Sequence, residues 1–128
     1  MEFQRVFTNT VWEGKVGYCR ALRAGEHVFV TGTAPVADDG SVFAPGDAYQ
    51  QARRCLEIIE RALKGVGAEL RHVVRTRMFV TDITRWQEYG RAHGEVFAAH
   101  PPCTTMVEVR RLIDPAMLIE IEADAVVQ

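Results

Sequence analysis

Lysine is almost missing from this chain: Lys15 and Lys64 are the only two, and arginine supplies nearly all the positive charge. No block of basic residues occurs, and the net charge is −2 at pH 7. Such a surface offers no overall attraction to a polyanion, so composition points away from nucleic acid and acidic membranes. Long apolar runs are missing too. None approaches the roughly 20 residues that a membrane-spanning helix needs, and Met1-Glu2-Phe3-Gln4-Arg5 lacks a signal peptide's apolar core. Cysteines are few: Cys19, Cys55 and Cys103 are odd in number and widely spaced. That pattern suits reduced thiols and argues against a disulfide framework or a zinc site. The expectation is a cytoplasmic protein.

What is present is an ordinary globular balance, 48% hydrophobic and 25% charged, which argues against disorder. A length of 128 residues suits one core. No repeat, linker or low-complexity stretch divides it, so residues 1–128 are read as one domain.

Two helices stand out. Asp47 is a good N-cap with Gln50 in the reciprocal position of a capping box. Ala48, Ala52, Cys55, Leu56, Ile59, Ala62, Leu63 and Val66 then recur at helical steps, and Gly65 and Gly67 end the segment. The second helix is expected from Thr84, with Gln87 closing its box, to about Ala99, before Pro101-Pro102. Trp86, Tyr89, His93, Val96 and Phe97 share one of its faces. Gly90 and Gly94 lie inside it, each costing up to about 1 kcal/mol relative to Ala, so close approach by another backbone is expected there.

Alternation marks strands at His27 to Thr33, Val73 to Val80, Thr104 to Arg110 and Leu118 to Val127. Phe3 to Phe7 and Tyr18 to Leu22 are weaker candidates, and Asp38-Asp39-Gly40 reads as a tight turn before a short strand at Ser41 to Phe43. The order βββαβαββ with two amphipathic helices predicts an α+β fold, one mixed sheet of about six strands with both helices on one face. Val74, Thr76, Met78 and Val80 are expected on the covered face. The opposite face is expected to carry Arg75, Arg77, Glu108, Arg110, Glu120 and Glu122 among Phe29, Thr31, Thr33 and Met106. It is either a solvated face or a subunit interface laced with ion pairs.

Five stretches in order resemble the RidA/YjgF family over essentially the whole chain. They are Val16-Gly17-Tyr18-Cys19-Arg20-Ala21, Val28 to Pro35, Val73 to Asp82, Pro101 to Val109, and Leu118-Ile119-Glu120-Ile121-Glu122-Ala123. The resemblance implies a chorismate-mutase-like fold and a homotrimer around a barrel-like core, with small-molecule clefts between subunits. It favours the interface reading of the charged face. The family's best-known activity, hydrolysis of reactive enamines and imines such as 2-aminoacrylate, needs no cofactor.

Carried over residue by residue, the resemblance makes Glu120 the carboxylate that orients or activates water. Tyr18, Thr31, Gly32 and Thr33 become cleft residues, with Thr104, Thr105 and Met106 on the site strand. The family's carboxylate-clamping Arg is Thr104 here. A threonine gives one neutral hydrogen bond, worth about 0.5–1.5 kcal/mol, where a charged pair gives roughly 1.5–3. A substrate without a carboxylate is therefore expected, unless Arg20, Arg75, Arg77 or Arg110 supplies the clamp. On the residues alone, Glu120 is either a general base or an ion-pair partner. His93 is either an acid–base group or a packed histidine. Cys103 is either a nucleophile or an ordinary small side chain. Three functions follow: a Rid-like hydrolase of small enamines, imines or related metabolites; a non-catalytic trimeric metabolite binder; and, last, an endoribonuclease or translation-inhibitor-like activity.

Overall fold

The computed structural model describes residues 2–128. Strands are β1 Phe3–Val6, β2 Ala21–Ala24, β3 His27–Thr33, β4 Val73–Val80, β5 Cys103–Glu108 and β6 Ile119–Val126. Helices are α1 Val11–Val16, α2 Ala48–Gly65 and α3 Trp86–Phe97. The strands form one sheet in the order β1-β2-β3-β6-β4-β5. All neighbours are antiparallel except β4 and β5, which α3 links as the crossover a parallel pair requires. This is the expected mixed six-stranded sheet with two long helices on one face, plus the short helix α1, which periodicity did not suggest.

Helix α2 forms as its sequence dictates. The Asp47 carboxylate accepts from the Gln50 N–H at 3.0 Å, and the helix buries Ala48, Ala52, Cys55, Leu56, Ile59, Ala62 and Leu63. Gly65 lets it close on β1, because a β-carbon there would lie 2.7 Å from Val6 Cγ2. Helix α3 starts later than expected. Asp82, not Thr84, is the capping residue: it accepts from the Thr84 N–H at 3.0 Å and opens a 3₁₀ turn, Ile83–Arg85. The buried face is Tyr89, Ala92, His93 and Phe97, whereas Trp86 is 55% exposed. No atom lies within 4 Å of where a β-carbon would stand on Gly90 or Gly94, so the expected backbone approach is not made within the described chain.

Strand β6 alternates as expected, with Ile119, Ile121, Ala123 and Ala125 inward and Glu120, Glu122 and Asp124 outward. Elsewhere side-chain placements invert in three strands, in two of them because slipping one residue reverses the face. A register shift between Val73 and Arg75 buries Val73 and exposes Val74. A second, between Val30 and Thr33, turns Thr33 inward opposite Ile121. The parallel register pairs Thr104 with Thr76, Met106 with Met78 and Glu108 with Val80, so Thr104, Met106 and Glu108 stand on the helix-covered side. The uncovered face carries Phe29, Thr31, Arg75, Arg77, Phe79, Thr105, Val107 and the three β6 carboxylates. On it Arg77 pairs with Glu122 at 3.1 Å and Asp124 at 3.4 Å. Among the described residues Arg75 has no carboxylate partner within the chain.

Candidate active-site groove

The first turn of β6 and the bulge in β3 bring two sequence-distant residues together. Glu120 leaves the uncovered face at the start of β6, and Gly32 occupies the irregular stretch of β3 beside it. A β-carbon on Gly32 would stand 2.7 Å from Glu120 Oε2 and 3.3 Å from its Cδ. Only glycine leaves this carboxylate its place.

Helix α1 closes the other side. It is short, so it depends on its cap: the Thr10 hydroxyl oxygen accepts from the Glu13 N–H at 3.3 Å, and Gly17 ends it at φ 88°, a backbone that favours glycine. Glu13 is buried and ionised. Its carboxylate accepts from the Thr8 N–H at 3.0 Å and the Thr8 hydroxyl, and from Thr10 Oγ1 at 3.1 Å. Arg20 Nη2 meets it at 3.2 Å. Burial works against its charge, but these donors outweigh burial and hold the carboxyl below the ordinary glutamate range.

Arg20 is buried with it and fully engaged. Besides Glu13 it donates to Gly32 O at 2.9 Å and Thr33 Oγ1 at 3.4 Å, and its guanidinium carbon lies 5.5 Å from the Tyr18 ring centroid. The arginine thereby fixes the Gly32 peptide against which Glu120 rests. Burial pushes the Glu120 carboxyl above its usual range; Arg20 opposes this and Glu122 adds to it. A partly desolvated carboxylate of raised basicity is the type of group that general-base chemistry recruits.

Tyr18, Arg20, Gly32, Thr33 and Glu120 all line one groove of about 650 Å³ between α1, the 34–40 loop and α2. Thr31 lines a shallower depression on the other side of Tyr18 and Glu120, with Phe79 and Arg111. The threonine hydroxyls are less available than expected. Thr31 donates to Cys19 O at 2.8 Å and Thr33 to Thr31 O at 2.7 Å, so both protons hold the loop.

The remaining expected site residues lie elsewhere in the chain. Strand β4 separates β5 from β6, which keeps Cys103, Thr104, Thr105 and Met106 away from Glu120. Thr104 accepts from the Thr76 hydroxyl at 2.7 Å, which in turn is bonded to His93 Nε2 at 2.8 Å. His93 packs on Phe97 at 4.6 Å between centroids, and burial lowers its pKa. It is neutral at pH 7 and behaves as a packed, hydrogen-bonded core histidine. Cys103 is exposed and Cys55 fully buried, where burial first and the Glu120 charge second push the thiol far up. Of the alternative clamps, Arg20 reaches the groove but is spoken for, Arg77 is ion-paired, and Arg75 and Arg110 are exposed.

Glu13 and Arg20 as a pair, and α1 itself, escaped the sequence reading. One local signal was available: Thr10-Val11-Trp12-Glu13 has the spacing of a capping box. Among the described residues no group of three or more His, Cys, Asp or Glu is placed to hold a metal ion, and no helix is long and apolar enough to cross a membrane.

Comparison with known proteins agrees with this fold. Rv2704 from Mycobacterium tuberculosis, of the YjgF/YER057c/UK114 family, superposes with a TM-score of 0.90 at 45% identity, covering 98% of this chain and 100% of that one. An uncharacterized protein of Streptomyces coelicolor is 32% identical over 122 residues, 95% of this chain and 90% of its own. The 3-aminoacrylate deaminase RutC of Acinetobacter baylyi is 32% identical over 108 residues, 84% and 85% of the two chains. The sequence profile described as Endoribonuclease L-PSP matches residues 10–127. With its six-stranded sheet, its two covering helices and a match over nearly its whole length, the chain belongs to the Endoribonuclease L-PSP family, the YjgF/RidA proteins.

Proposed function

We propose that the chain is a Rid-like hydrolase of small imines, enamines or related electrophiles, working in a cleft completed by further copies of itself. The observation that carries this reading is Glu120, a carboxylate of raised basicity seated on the Gly32 peptide inside a groove. Water bound to Glu120 attacks the carbon of a C=N bond and gives one proton to the carboxylate, which passes it to the substrate nitrogen to leave a carbinolamine. The carbinolamine hydroxyl then gives up its proton through the same carboxylate to the nitrogen; as the carbonyl forms, the carbon–nitrogen bond breaks and ammonia or an amine leaves. An enamine enters the same route after protonation at carbon. Tyr18 and the peptide at Gly32 orient the substrate, and Arg20 keeps that peptide in place. The relationship to a protein named 3-aminoacrylate deaminase supports the reaction class.

The uncovered sheet face supports self-association. Phe29 is 50% and Val107 42% exposed on it among charged groups, and burying such a mixture against other copies removes apolar area from water. A homotrimer would also give the β5 residues Thr104 and Thr105 a route to a neighbour's groove.

Substituting Glu120→Gln tests the chemistry, because the change is nearly isosteric. Turnover of an imine generated in situ should fall roughly 10²–10⁴-fold, as for loss of a general base. Among the described residues Glu120 makes no ion pair, so no cation there is stranded. Removing a charge that burial disfavours should raise the melting point at pH 7. The gain should shrink as pH falls toward the ordinary glutamate value of 4.5, where the unfolded chain also protonates. Undiminished turnover would remove Glu120 from the mechanism. A second reading, a non-catalytic metabolite binder, is favoured by the missing guanidinium at Thr104 and the committed one at Arg20. It predicts no turnover in either protein and a modest change in ligand affinity.

A further inference from the structure

We infer that the groove beside Glu120 accepts an electrically neutral substrate with a bulky apolar body, an aryl or branched-alkyl imine or enamine without a carboxylate. This names the substrate class of the proposed hydrolase and rests on that reading for its chemistry, though not for its binding.

Size comes first. About 650 Å³ lies within the range of roughly 300–1,000 Å³ typical of pockets that enclose drug-sized ligands. A three-carbon enamine would leave most of it to water. Lining chemistry comes next. Away from Glu120 the walls are Trp12 and Val16 of α1, Ile58 of α2, and Ile113 and Met117 of the loop before β6. Val16 is 71% exposed in the chain, a costly place for a valine unless something apolar covers it.

Charge decides the rest. Three guanidinium groups stand at the groove, and each already has carboxylate partners. Arg20 is held by Glu13 at 3.2 Å. Arg54, only 8% exposed, gives Nη1 to Glu57 at 3.0 Å, Nη2 to Asp38 at 2.9 Å and Nε to Val36 O at 2.8 Å. Arg61 bonds Glu57 at 3.2 Å. With Glu120 added, four carboxylates face three guanidiniums; the two buried ones are committed, and Arg61, 62% exposed, is solvated. A carboxylated substrate would bring a second anion beside Glu120 with no free buried guanidinium to neutralise it, whereas a neutral one meets apolar walls.

Binding of stable amides tests this without turnover. The chain has two tryptophans, and Trp86 lies on α3 outside the groove, so Trp86→Phe leaves Trp12 as the reporter. We expect 3-phenylpropanamide to change Trp12 fluorescence saturably and to bind at least about tenfold tighter than propanamide or 3-phenylpropanoate. The first comparison removes apolar groups, each worth roughly tenfold or more in a fitting pocket; the second adds an anion. Ile58→Asp should weaken 3-phenylpropanamide at least about tenfold, with Val16→Asp used where Ile58→Asp lowers the melting point. Glu120→Gln should keep the binding. No saturation, or equal affinity for the carboxylate or the short amide, overturns the inference. Tight 3-phenylpropanamide binding without hydrolysis of the matching imine supports it while refuting the hydrolase.

Discussion

Replacing Gly32 by alanine separates the site from the fold. Its φ is not positive, so alanine fits the backbone. The added β-carbon would lie 2.7 Å from Glu120 Oε2, 3.3 Å from Cδ and 3.6 Å from Cγ, where ordinary contacts begin at 3.4 Å. The carboxylate must therefore retreat by about 0.7 Å. It is the far end of a flexible, partly buried side chain, so rotation absorbs the clash. The cost should fall below the 1–3 kcal/mol typical of overpacking a rigid core, and the melting point should drop by no more than about 4 °C. Catalysis should not be so tolerant. A misplacement of 1 Å can cost about a hundredfold, so the loss in kcat/KM should be about 10–100-fold. Steady-state hydrolysis of whichever imine the wild type turns over best, with thermal melts alongside, measures both. A ¹³C titration of the Glu120 carboxyl should show its pKa moving back down as the group swings toward solvent. Full activity with an unshifted carboxyl would refute the claim that the Gly32 peptide positions Glu120.

Glu13→Gln should be far more destabilising, by up to about 3–5 kcal/mol, because Arg20 is left buried without its counter-charge. Glu13 titrates low in the folded chain, so its stabilisation is complete above the ordinary value of 4.5 and disappears as pH falls through the folded value. Chemical denaturation of both proteins at pH 7 and at pH 3 should show the gap closing in acid, and a constant gap would remove the ion pair as its cause. Wild-type release of ammonia from 2-aminoacrylate should be weak, and Thr104→Arg should raise it. About 3 kcal/mol of carboxylate binding corresponds to more than a hundredfold in rate, and a fast wild-type rate that Thr104→Arg does not raise would show that another residue clamps the carboxylate. Sedimentation at micromolar concentration should give a trimer that Phe29→Glu dissociates; a wild-type monomer would sink the interface argument.

Helix α2 was legible in its Asp47 cap, its apolar stripe and the left-handed Gly67 just past its end, local features that act within a turn or two of themselves; Val66 as its C-cap and the buried Gln51 and Arg54 were not. Strand β6 was legible for the same reason, since it has no bulge and its alternation runs unbroken from Ile119 to Val126. The family was legible from ordered motifs, and with it the position of Glu120. What escaped was any property that depends on a partner distant in sequence. Thr33, Val74, Met106 and Glu108 each alternate correctly within their own strands, yet face the other way, because two register shifts and one parallel pairing reset which side is inward. Glu120 and Gly32 touch across 88 positions of chain, and nothing in either neighbourhood announces the other. The buried Glu13–Arg20 pair is similar: charges at those positions read as solvated until α1 brings Glu13 against Arg20 out of reach of water. Periodicity says that a strand has two faces, but only the strands and helices packed against it decide which face is dry and which charges must find partners.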